Sequence, residues 1–266
     1  MKKTVFAVTA LSLIAALVLL SCSSFTEVLM EGTREGAEQA LYEQAEVGVY
    51  KALAPKEEVP PPNSAQWGQF MAMQAQVVFS YAFSAGGLWP GESTYQVGEY
   101  TVFEFKPREE EPVSMERAYL TELDNGNQWW RVSWTDGGDA YVYEGLLSTR
   151  EERLLRLRAR DPDGNEGEVP VSGQAIYIPP SEIGEESLEG ATVGSEKITT
   201  PAGTFQADHV VFMAMGSGGE VEWWVTDQVP GGVVRYLARE QENGQIAWTA
   251  TLVETGGGAT TILSSY

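Results

Sequence analysis

The stretch Trp-Trp-Arg-Val-Ser-Trp-Thr-Asp-Gly-Gly-Asp-Ala-Tyr-Val-Tyr, residues 129–143, decides the fold because it predicts one complete β-hairpin. Two candidate strands flank Gly137-Gly138, and paired glycines at such a place are typical of a tight hairpin turn. Successive side chains of a strand point to opposite faces of its sheet. The first strand therefore has an apolar face and a mixed face, formed by Trp130, Val132 and Trp134 and by Trp129, Arg131 and Ser133.

The same pattern of short alternating runs and turn residues begins at Gly98 and continues along the chain. Hairpin turns are predicted at Asn125-Gly126, Gly137-Gly138, Asp163-Gly164, Pro201-Ala202-Gly203, Gly231-Gly232 and Asn243-Gly244. Strands are predicted with centres near residues 102, 118, 131, 143, 156, 169, 196, 209, 223, 235 and 250.

Short turns between successive strands favour a meander in which each strand pairs with the next. We therefore expect a mainly β (α+β) fold, a curved antiparallel meander sheet or an incomplete β-barrel of about ten strands, with N-terminal helices packed on it. A stretch from Pro179 to Gly190 is expected to form a loop with a short helix and to divide the sheet into two halves.

A helix is predicted immediately before the strands. Ser64 is a suitable N-cap, and large side chains recur at helical spacing before the Gly86-Gly87 pair. This stripe consists of Trp67, Phe70, Met71, Gln74, Val77, Val78 and Tyr81. Such a stripe is typical of a helix packed on a core, and the alternative is a lid or plug across a curved sheet.

Residues 1–21 have the layout of a secretory signal, in which Lys2 and Lys3 precede an apolar run. The run ends in Leu19-Leu20-Ser21-Cys22, which resembles the lipobox of bacterial lipoproteins. The resemblance implies cleavage before Cys22, diacylglycerol on its sulfur and an acyl chain such as palmitate on its amino group. The alternative is an ordinary signal followed by an incidental cysteine. Ser23 after the cysteine is, in that family, compatible with the outer membrane.

The rest of the chain divides into a tether and a folded body. Residues 22–63 are expected to form a lipid-anchored helix, over residues 25–54, and a proline-rich spacer. Residues 64–266 are expected to form the helix and the antiparallel β domain. No second apolar stretch reaches about 18 residues, so the body is expected to lie outside the bilayer.

The charge of the chain excludes one class of partner. Without Lys2 and Lys3 the 17 basic residues become 15, against 38 acidic residues, which is a formal charge of −23. Nucleic acid binding needs a positive surface that releases counterions, so nucleic acid is excluded as a partner. The expected partners are the membrane, through Cys22, and a lipid or another envelope protein.

Two tryptophans are candidate ligand-binding residues because alternation places them on the more polar face of the sheet. These are Trp129 and Trp224, the latter beside Glu222. A large aromatic side chain needs cover in a monomer, and cover by the N-terminal helices is the leading interpretation, with a partner or a ligand as alternatives.

A basic stripe is the third candidate feature. Arg156, Arg158 and Arg160 alternate with Leu155, Leu157 and Ala159. Cross-strand pairing with Glu144, Glu166 or Glu168 is the leading interpretation of this stripe. The alternative is a site for an anionic headgroup, with Arg156 and Arg158 as ligand-binding residues.

Catalytic chemistry is sparse in this chain. His209 is the only histidine, and alternation places it on the apolar face with Phe205, Ala207 and Val211. Cys–His catalysis and histidine-rich zinc sites are thereby excluded, and we expect no catalytic residue, metal or cofactor. Residues 161–168 resemble the start of a calcium loop, but Glu166 replaces the turn glycine and Ser172 the bidentate glutamate. An acidic hairpin tip is the leading interpretation.

Two further segments resemble motifs of uncharacterised bacterial envelope lipoproteins. Thr200–Phe205 contains the "PAGTF" strand, and Trp224–Val234 contains the "VPGG" turn. Those proteins are similar in outline to the lipoprotein carrier and receptor folds of the Lol system. The resemblance implies an incomplete antiparallel barrel in which helices and sheet enclose an apolar cavity, and it implies no activity.

The leading functional prediction is a non-catalytic, lipid-anchored bacterial envelope protein that binds a lipid or other apolar ligand in a concave sheet. The alternative is a structural or interaction lipoprotein that oligomerises through Gly32, Gly36 and Ala40 of its N-terminal helix. A hydrolase with two facing carboxylates is the third hypothesis.

Overall fold

The structure of the 266-residue chain is a computed structural model. The structure describes residues 60–61, 64–80, 82–83, 89–90, 95–108, 111–151, 153–171, 182–183, 185–213, 220–239 and 244–266. The predictions made for residues 1–59, which include Cys22, the helix 25–54 and its small-residue stripe, lie outside these ranges and stay predictions.

Two helices are described, α1 (Ala65–Ser80) and α2 (Glu185–Ala191). The described strands are β1 (Trp89–Pro90), β2 (Tyr100–Pro107), β3 (Val113–Glu122), β4 (Gln128–Asp136), β5 (Asp139–Ser148), β6 (Arg153–Arg160), β7 (Glu166–Val169), β8 (Glu182–Ile183), β9 (Thr192–Thr200), β10 (Gly203–Met213), β11 (Glu220–Val225), β12 (Val233–Arg239) and β13 (Ile246–Gly256).

The strands form an open antiparallel sheet of eleven strands in the order β7-β6-β5-β4-β3-β2-β13-β12-β11-β10-β9, and β1 pairs separately with β8. Every predicted strand centre lies within one of these strands, so the predicted mainly β meander fold is confirmed. The sheet consists of two meanders, β2–β7 and β9–β13, joined where β2 pairs with β13. The short helix α2 lies between the two meanders in sequence, as predicted.

The hairpin turns form where glycine was expected to permit them. Gly137 and Gly138 between β4 and β5 have φ angles of 55° and 101°, and Gly231 and Gly232 between β11 and β12 have 72° and 68°. Side chains other than glycine rarely adopt such angles, so these pairs define the register of their hairpins.

One face of the sheet, which we call the aromatic face, carries Phe105, Trp134, Trp223, Tyr236 and Trp248. These side chains are all buried. Phe105 lies 6.4 Å from both Trp134 and Trp248, and Trp223 lies 6.2 Å from Tyr236, measured between ring centroids. Ring pairs at these distances add to the stability that burial itself supplies.

Helix α1 packs on the aromatic face over the first meander. Its first turn is capped by Ser64, whose Oγ accepts a hydrogen bond of 3.0 Å from the backbone N–H of Trp67, as predicted. The rings of Trp67 and Phe79 lie over Gly167 and Gly145, where the absence of a side chain leaves room for them. No helix among the described residues combines the length and the apolar character needed to cross a membrane.

Candidate functional site

The start of α1 is tied to the sheet by a buried carboxylate. The Trp67 indole Nε1 donates a hydrogen bond of 2.8 Å to Asp161 Oδ2, and Asp161 is only 1% exposed. Asn165 donates to the same carboxylate from its backbone N, at 2.9 Å, and from its side-chain Nδ2. Asp161 thus closes the β6–β7 turn and holds the helix.

These contacts favour the hairpin-tip interpretation of residues 161–168 over a calcium loop, because protein donors already use both oxygens of Asp161. Within the ranges that the structure describes, no group of three or more histidine, cysteine, aspartate or glutamate side chains is placed to hold a metal ion.

The middle of α1 is tied to the sheet by an amide. The Tyr143 hydroxyl donates a hydrogen bond of 2.7 Å to Oε1 of Gln74. Burial raises the pKa of Tyr143 well above its usual value, with a smaller contribution from the neighbouring Tyr141. The phenol therefore stays protonated and remains a donor to Gln74 throughout the neutral range.

The chain just after α1 is tied to the sheet by a buried arginine. Arg117 is 2% exposed and donates from Nη1 to the backbone carbonyl of Ala82 at 2.6 Å and from Nε to Tyr95 Oη at 2.9 Å. A cation close to a helix C-terminus is stabilised by the helix dipole. Burial lowers the pKa of Arg117, but Tyr95 and Tyr236 outweigh that effect and leave it raised.

Tyr236, the second tyrosine against Arg117, connects this contact to the aromatic face. Burial raises the pKa of Tyr236 to about 12, although Arg117 opposes the rise. Three polar contacts, at Asp161, Gln74 and Arg117, therefore hold α1 at its beginning, its middle and its end.

Trp129 lies on the face of the sheet opposite to α1. The helix at residues 65–80 therefore does not cover Trp129, contrary to the prediction for the N-terminal helices. Trp129 is 1% exposed and packs with Ala118, Leu120 and Leu146. Tyr266 lies 6.0 Å from Trp129 between ring centroids, and the Arg156 guanidinium lies 5.4 Å above the Trp129 ring. The described cover of Trp129 comes from the last ten residues of the sequence.

The basic stripe pairs across the β6–β7 hairpin, as its leading interpretation predicted. Arg156 binds both carboxylate oxygens of Glu168 at 3.0 Å, and Arg160 Nε binds Glu166 at 2.7 Å. Arg158 contributes a longer contact of 4.0 Å to Glu168. Candidate ligand-binding residues Arg156 and Arg158 are thus engaged within the chain in this structure.

Glu144 was considered only as a partner for the basic stripe, yet it is the most buried carboxylate of this face. It is 0% exposed and accepts hydrogen bonds from Thr261 Oγ1 at 2.6 Å, Ile262 N at 2.7 Å and Ser265 Oγ at 2.5 Å. The sequence around Glu144 does not predict that this side chain is buried. Its hydrogen-bond donors lie 117 or more residues further along the chain, where no local pattern reveals them.

Trp224 lies far from Trp129 in the sheet order and belongs to a separate cluster. Its ring stacks on His209 at 4.5 Å with an interplanar angle of 8°, and Arg235 lies over it at 5.2 Å. Trp224 Nε1 donates to Glu196 at 2.6 Å. The structure therefore does not bring the two candidate tryptophans together: Tyr266 and Arg156 cover Trp129, whereas residues of neighbouring strands cover Trp224.

The placement of His209 on the apolar face was wrong. His209 pairs directly with Trp224 on the face that carries Glu222, whereas its neighbour Val210 is 0% exposed. His209 Nε2 lies 2.8 Å from Glu222, and Arg239 Nε donates to the same carboxylate at 2.5 Å. The imidazole is a half-buried member of a polar cluster.

Comparisons with known proteins do not assign this chain to a family. No family model and no curated protein matches the chain. Among solved structures, the chain is similar to MucB, at 14% identity over 66% of this chain and 64% of that chain with a TM-score of 0.40. A structure of MucB in complex with MucA(peri) matches at 17% identity over 64% of this chain and 54% of that chain, with a TM-score of 0.35.

A proposed lipoprotein from Parabacteroides distasonis matches at 12% identity over 61% of this chain and 97% of that chain, with a TM-score of 0.29. The chain thus matches between about half and two thirds of the MucB chains. At these identities and TM-scores the likeness carries no argument about what this chain does.

Proposed function

We propose that the protein is a non-catalytic, lipid-anchored protein of the bacterial envelope that holds an apolar chain, such as a lipid acyl chain, between helix α1 and the aromatic face. Cys22 supplies the anchor, and the outer membrane is the expected address. Helix α1 acts as the lid over the site.

The observation that carries this proposal is the construction of the interface between α1 and the sheet. Polar contacts at Asp161, Gln74 and Arg117 hold the helix in place. Between them, rings lie over glycines, with Phe79 over Gly145 as one example. If these three contacts break, α1 can move away from the sheet, and the aromatic surface beneath it would be exposed.

The energies favour an acyl chain as the occupant. Breaking a hydrogen bond to a buried polar or charged group costs about 1–3 kcal/mol, so the three contacts together correspond to roughly 3–9 kcal/mol. Each buried methylene contributes about 0.8 kcal/mol, so roughly four to eleven methylenes would offset the loss of these three contacts, and further methylenes must replace the burial that α1 side chains such as Met71 and Phe79 lose. Membrane acyl chains are long enough, whereas small apolar metabolites are not.

The part of the aromatic face beneath α1 is filled by its own side chains in this structure, since Trp130, Tyr143 and Leu157 are each at most 4% exposed. Binding therefore requires that α1 lift, and a helix that is fixed to the sheet should prevent it. A β-carbon at Gly68 would lie 3.1 Å from Pro170 Cδ and 3.6 Å from its Cγ, so cysteines at these two positions lie within the span of a short bis-methanethiosulfonate cross-linker.

The test uses Gly68→Cys/Pro170→Cys in a Cys22→Ser background. Quenching of tryptophan fluorescence by a brominated fatty acid should occur in the reduced protein, disappear after treatment with the cross-linker and return when reduction releases the cross-link. Gly68→Cys alone, treated in the same way, is the control. The proposal is rejected if the reduced protein shows no quenching and wild-type protein purified from its native membrane carries no lipid by mass spectrometry.

A further inference from the structure

Residues 259–266, which we call the strap, cross the face of the first meander that lies opposite to α1. The residues beneath them form a receptor, which we call the cradle and define as Trp129, Arg131, Glu144, Arg156 and Arg160. The strap follows β13 directly, and Ala259 N donates a hydrogen bond of 2.9 Å to the carbonyl of Gly98.

The cradle recognises main-chain and hydroxyl groups of the strap. Glu144 accepts hydrogen bonds from the backbone N–H of Ile262 and from the hydroxyls of Thr261 and Ser265. This buried carboxylate has β4 and β6 on either side, where Arg131 and Arg158 lie opposite it. A segment that binds to Glu144 in this way must carry two hydroxyl side chains four residues apart, as Thr261 and Ser265 are.

Three arginines of the cradle face carbonyl groups of the strap. Arg131 donates to Thr260 O at 2.7 Å and Arg160 donates to Ile262 O at 3.0 Å. Arg156 makes a longer contact of 3.5 Å to Ser265 O. The arginines donate hydrogen bonds to backbone carbonyl groups of the strap, and Glu144 accepts one from a backbone N–H. A peptide-binding surface makes the same two kinds of hydrogen bond to the main chain.

The strap itself is only partly incorporated into the body. Leu263 and Ser265 are buried, whereas Ile262 and Tyr266 are 47% and 52% exposed. Ser264 has a φ of 54°, the one positive φ of a residue other than glycine within the described ranges. Such a conformation is unfavourable for serine, so the contacts of the cradle impose it.

The connection to β13 has the properties of a hinge. Gly256, Gly257 and Gly258 are consecutive; packing against Tyr100 requires glycine at 256 and a φ of 84° favours it at 258, whereas a β-carbon at Gly257 would meet no atom within 4 Å. Gly257 also lacks a φ in the left-handed region, so neither space nor local conformation requires glycine there. Glycine at position 257 therefore acts mainly by increasing the conformational freedom of the backbone between β13 and the strap.

We propose that the cradle takes the strap of a second copy of this chain, so that two copies exchange residues 259–266 about the glycine hinge. The exchange forms the same hydrogen bonds between copies that the structure shows within one chain, which makes the second copy a complementary partner without any new contact. This surface is separate from the α1 interface, so the two proposals stand or fall independently.

The hinge decides which form is populated. A short flexible connection gives the strap an effective concentration of about millimolar at its own cradle, so the closed monomer has the advantage in dilute solution and the exchanged form is populated where copies of the chain are comparably concentrated. A connection that is too short to turn back removes this advantage and leaves only the exchanged form. Deleting Gly257 and Gly258 from the full chain, in a Cys22→Ser background, should therefore produce a dimer.

Sedimentation velocity of this deletion variant is the test. The expected result is a mass twice that of the Cys22→Ser parent, and return to the monomer when Thr261→Val and Ser265→Ala are added, because these remove the hydroxyls that bind Glu144. An excess of a peptide corresponding to residues 259–266 should also convert the dimer to monomers. A folded deletion variant that stays monomeric, or a dimer that persists unchanged without the two hydroxyls, overturns the proposal.

A second measurement applies if near-UV circular dichroism shows that the deletion variant does not fold. The full chain with Thr261→Val and Ser265→Ala should bind a fluorescein-labelled peptide of residues 259–266 at least tenfold more tightly than the parent, measured by fluorescence anisotropy. Equal or undetectable binding by the two proteins would show that the cradle does not accept this segment from outside, and would overturn the proposal.

Discussion

Replacing Gly145 by alanine tests how α1 is seated on the sheet. A β-carbon at Gly145 would lie 2.8 Å from both Phe79 Cζ and Leu154 Cδ1. Carbon atoms in packed interiors are separated by about 3.5–4.0 Å, so the Phe79 ring must move by nearly an ångström. Phe79 belongs to the main core cluster, so its ring can move only by disturbing the packing around it.

The expected loss follows from two opposing effects. Overpacking of a core by one methyl group costs about 1–3 kcal/mol. Replacing glycine by alanine stabilises a protein by about 0.4–1 kcal/mol where the conformation permits it, because the unfolded chain loses freedom. We therefore expect Gly145→Ala to lower the free energy of unfolding by roughly 1–2 kcal/mol and the melting temperature by roughly 2–8 °C.

Urea unfolding followed by tryptophan fluorescence measures this difference. Gly194→Ala is the matched control, because Gly194 also lies in a strand but a β-carbon there would meet no atom within 4 Å. Gly194→Ala should leave the stability unchanged or raise it. Adding Phe79→Leu to Gly145→Ala should give a smaller loss than the sum of the single losses, since the shorter side chain relieves the contact. A Gly145→Ala protein as stable as wild type would refute this account of the interface.

Three further outcomes follow from the described contacts. Trp67→Phe should lower the free energy of unfolding by about 2 kcal/mol in urea, because Asp161 is buried and loses its indole donor; no loss would mean that α1 is held elsewhere. Since burial raises the pKa of Tyr236 to about 12, against about 10 in the unfolded chain, its contribution is complete below pH 10 and falls by about 3 kcal/mol as the pH rises through 12. Unfolding free energies measured across that range should decline less steeply for Tyr236→Phe, with a remaining slope from Tyr143; an unchanged slope would contradict the assignment. Arg156→Ala, at a largely exposed ion pair, should cost at most about 1 kcal/mol, and less at high salt; a larger loss would indicate that its contact with the strap dominates.

The sequence predicts the sheet well because its signals are local. Alternation within residues 129–136 and glycine pairs at the turns depend only on neighbouring residues, and the strands follow them. The cap of α1 at Ser64 is equally local. Pairing of Arg160 with Glu166 is also predictable, because six residues separate them across one hairpin.

The parts that the sequence does not predict depend on distant residues. The strap reaches the cradle from more than a hundred residues away, and neither Thr261 nor Ser265 differs in composition from an ordinary loop residue. The N-terminal helices were therefore the expected cover of Trp129, because nothing in the composition of residues 259–266 marks them as a covering segment. His209 was misplaced because alternation from the buried Phe205 and Ala207 does not continue through the register shift between His209 and Val210, where Val210 is the buried residue.

The pairing of β2 with β13 has a consequence for how the chain is made. Tyr100 and Glu254, which meet at this seam, are 154 residues apart. At a synthesis rate of about 5–20 residues per second, the second strand follows the first after roughly 8–30 s. During that interval the first meander presents the unpaired edge of β2, which any other nascent chain with a free edge could join. The two halves of the sheet are thus separate folding units until the last strand arrives, and that delay is the period in which the chain most needs to be kept apart from its copies.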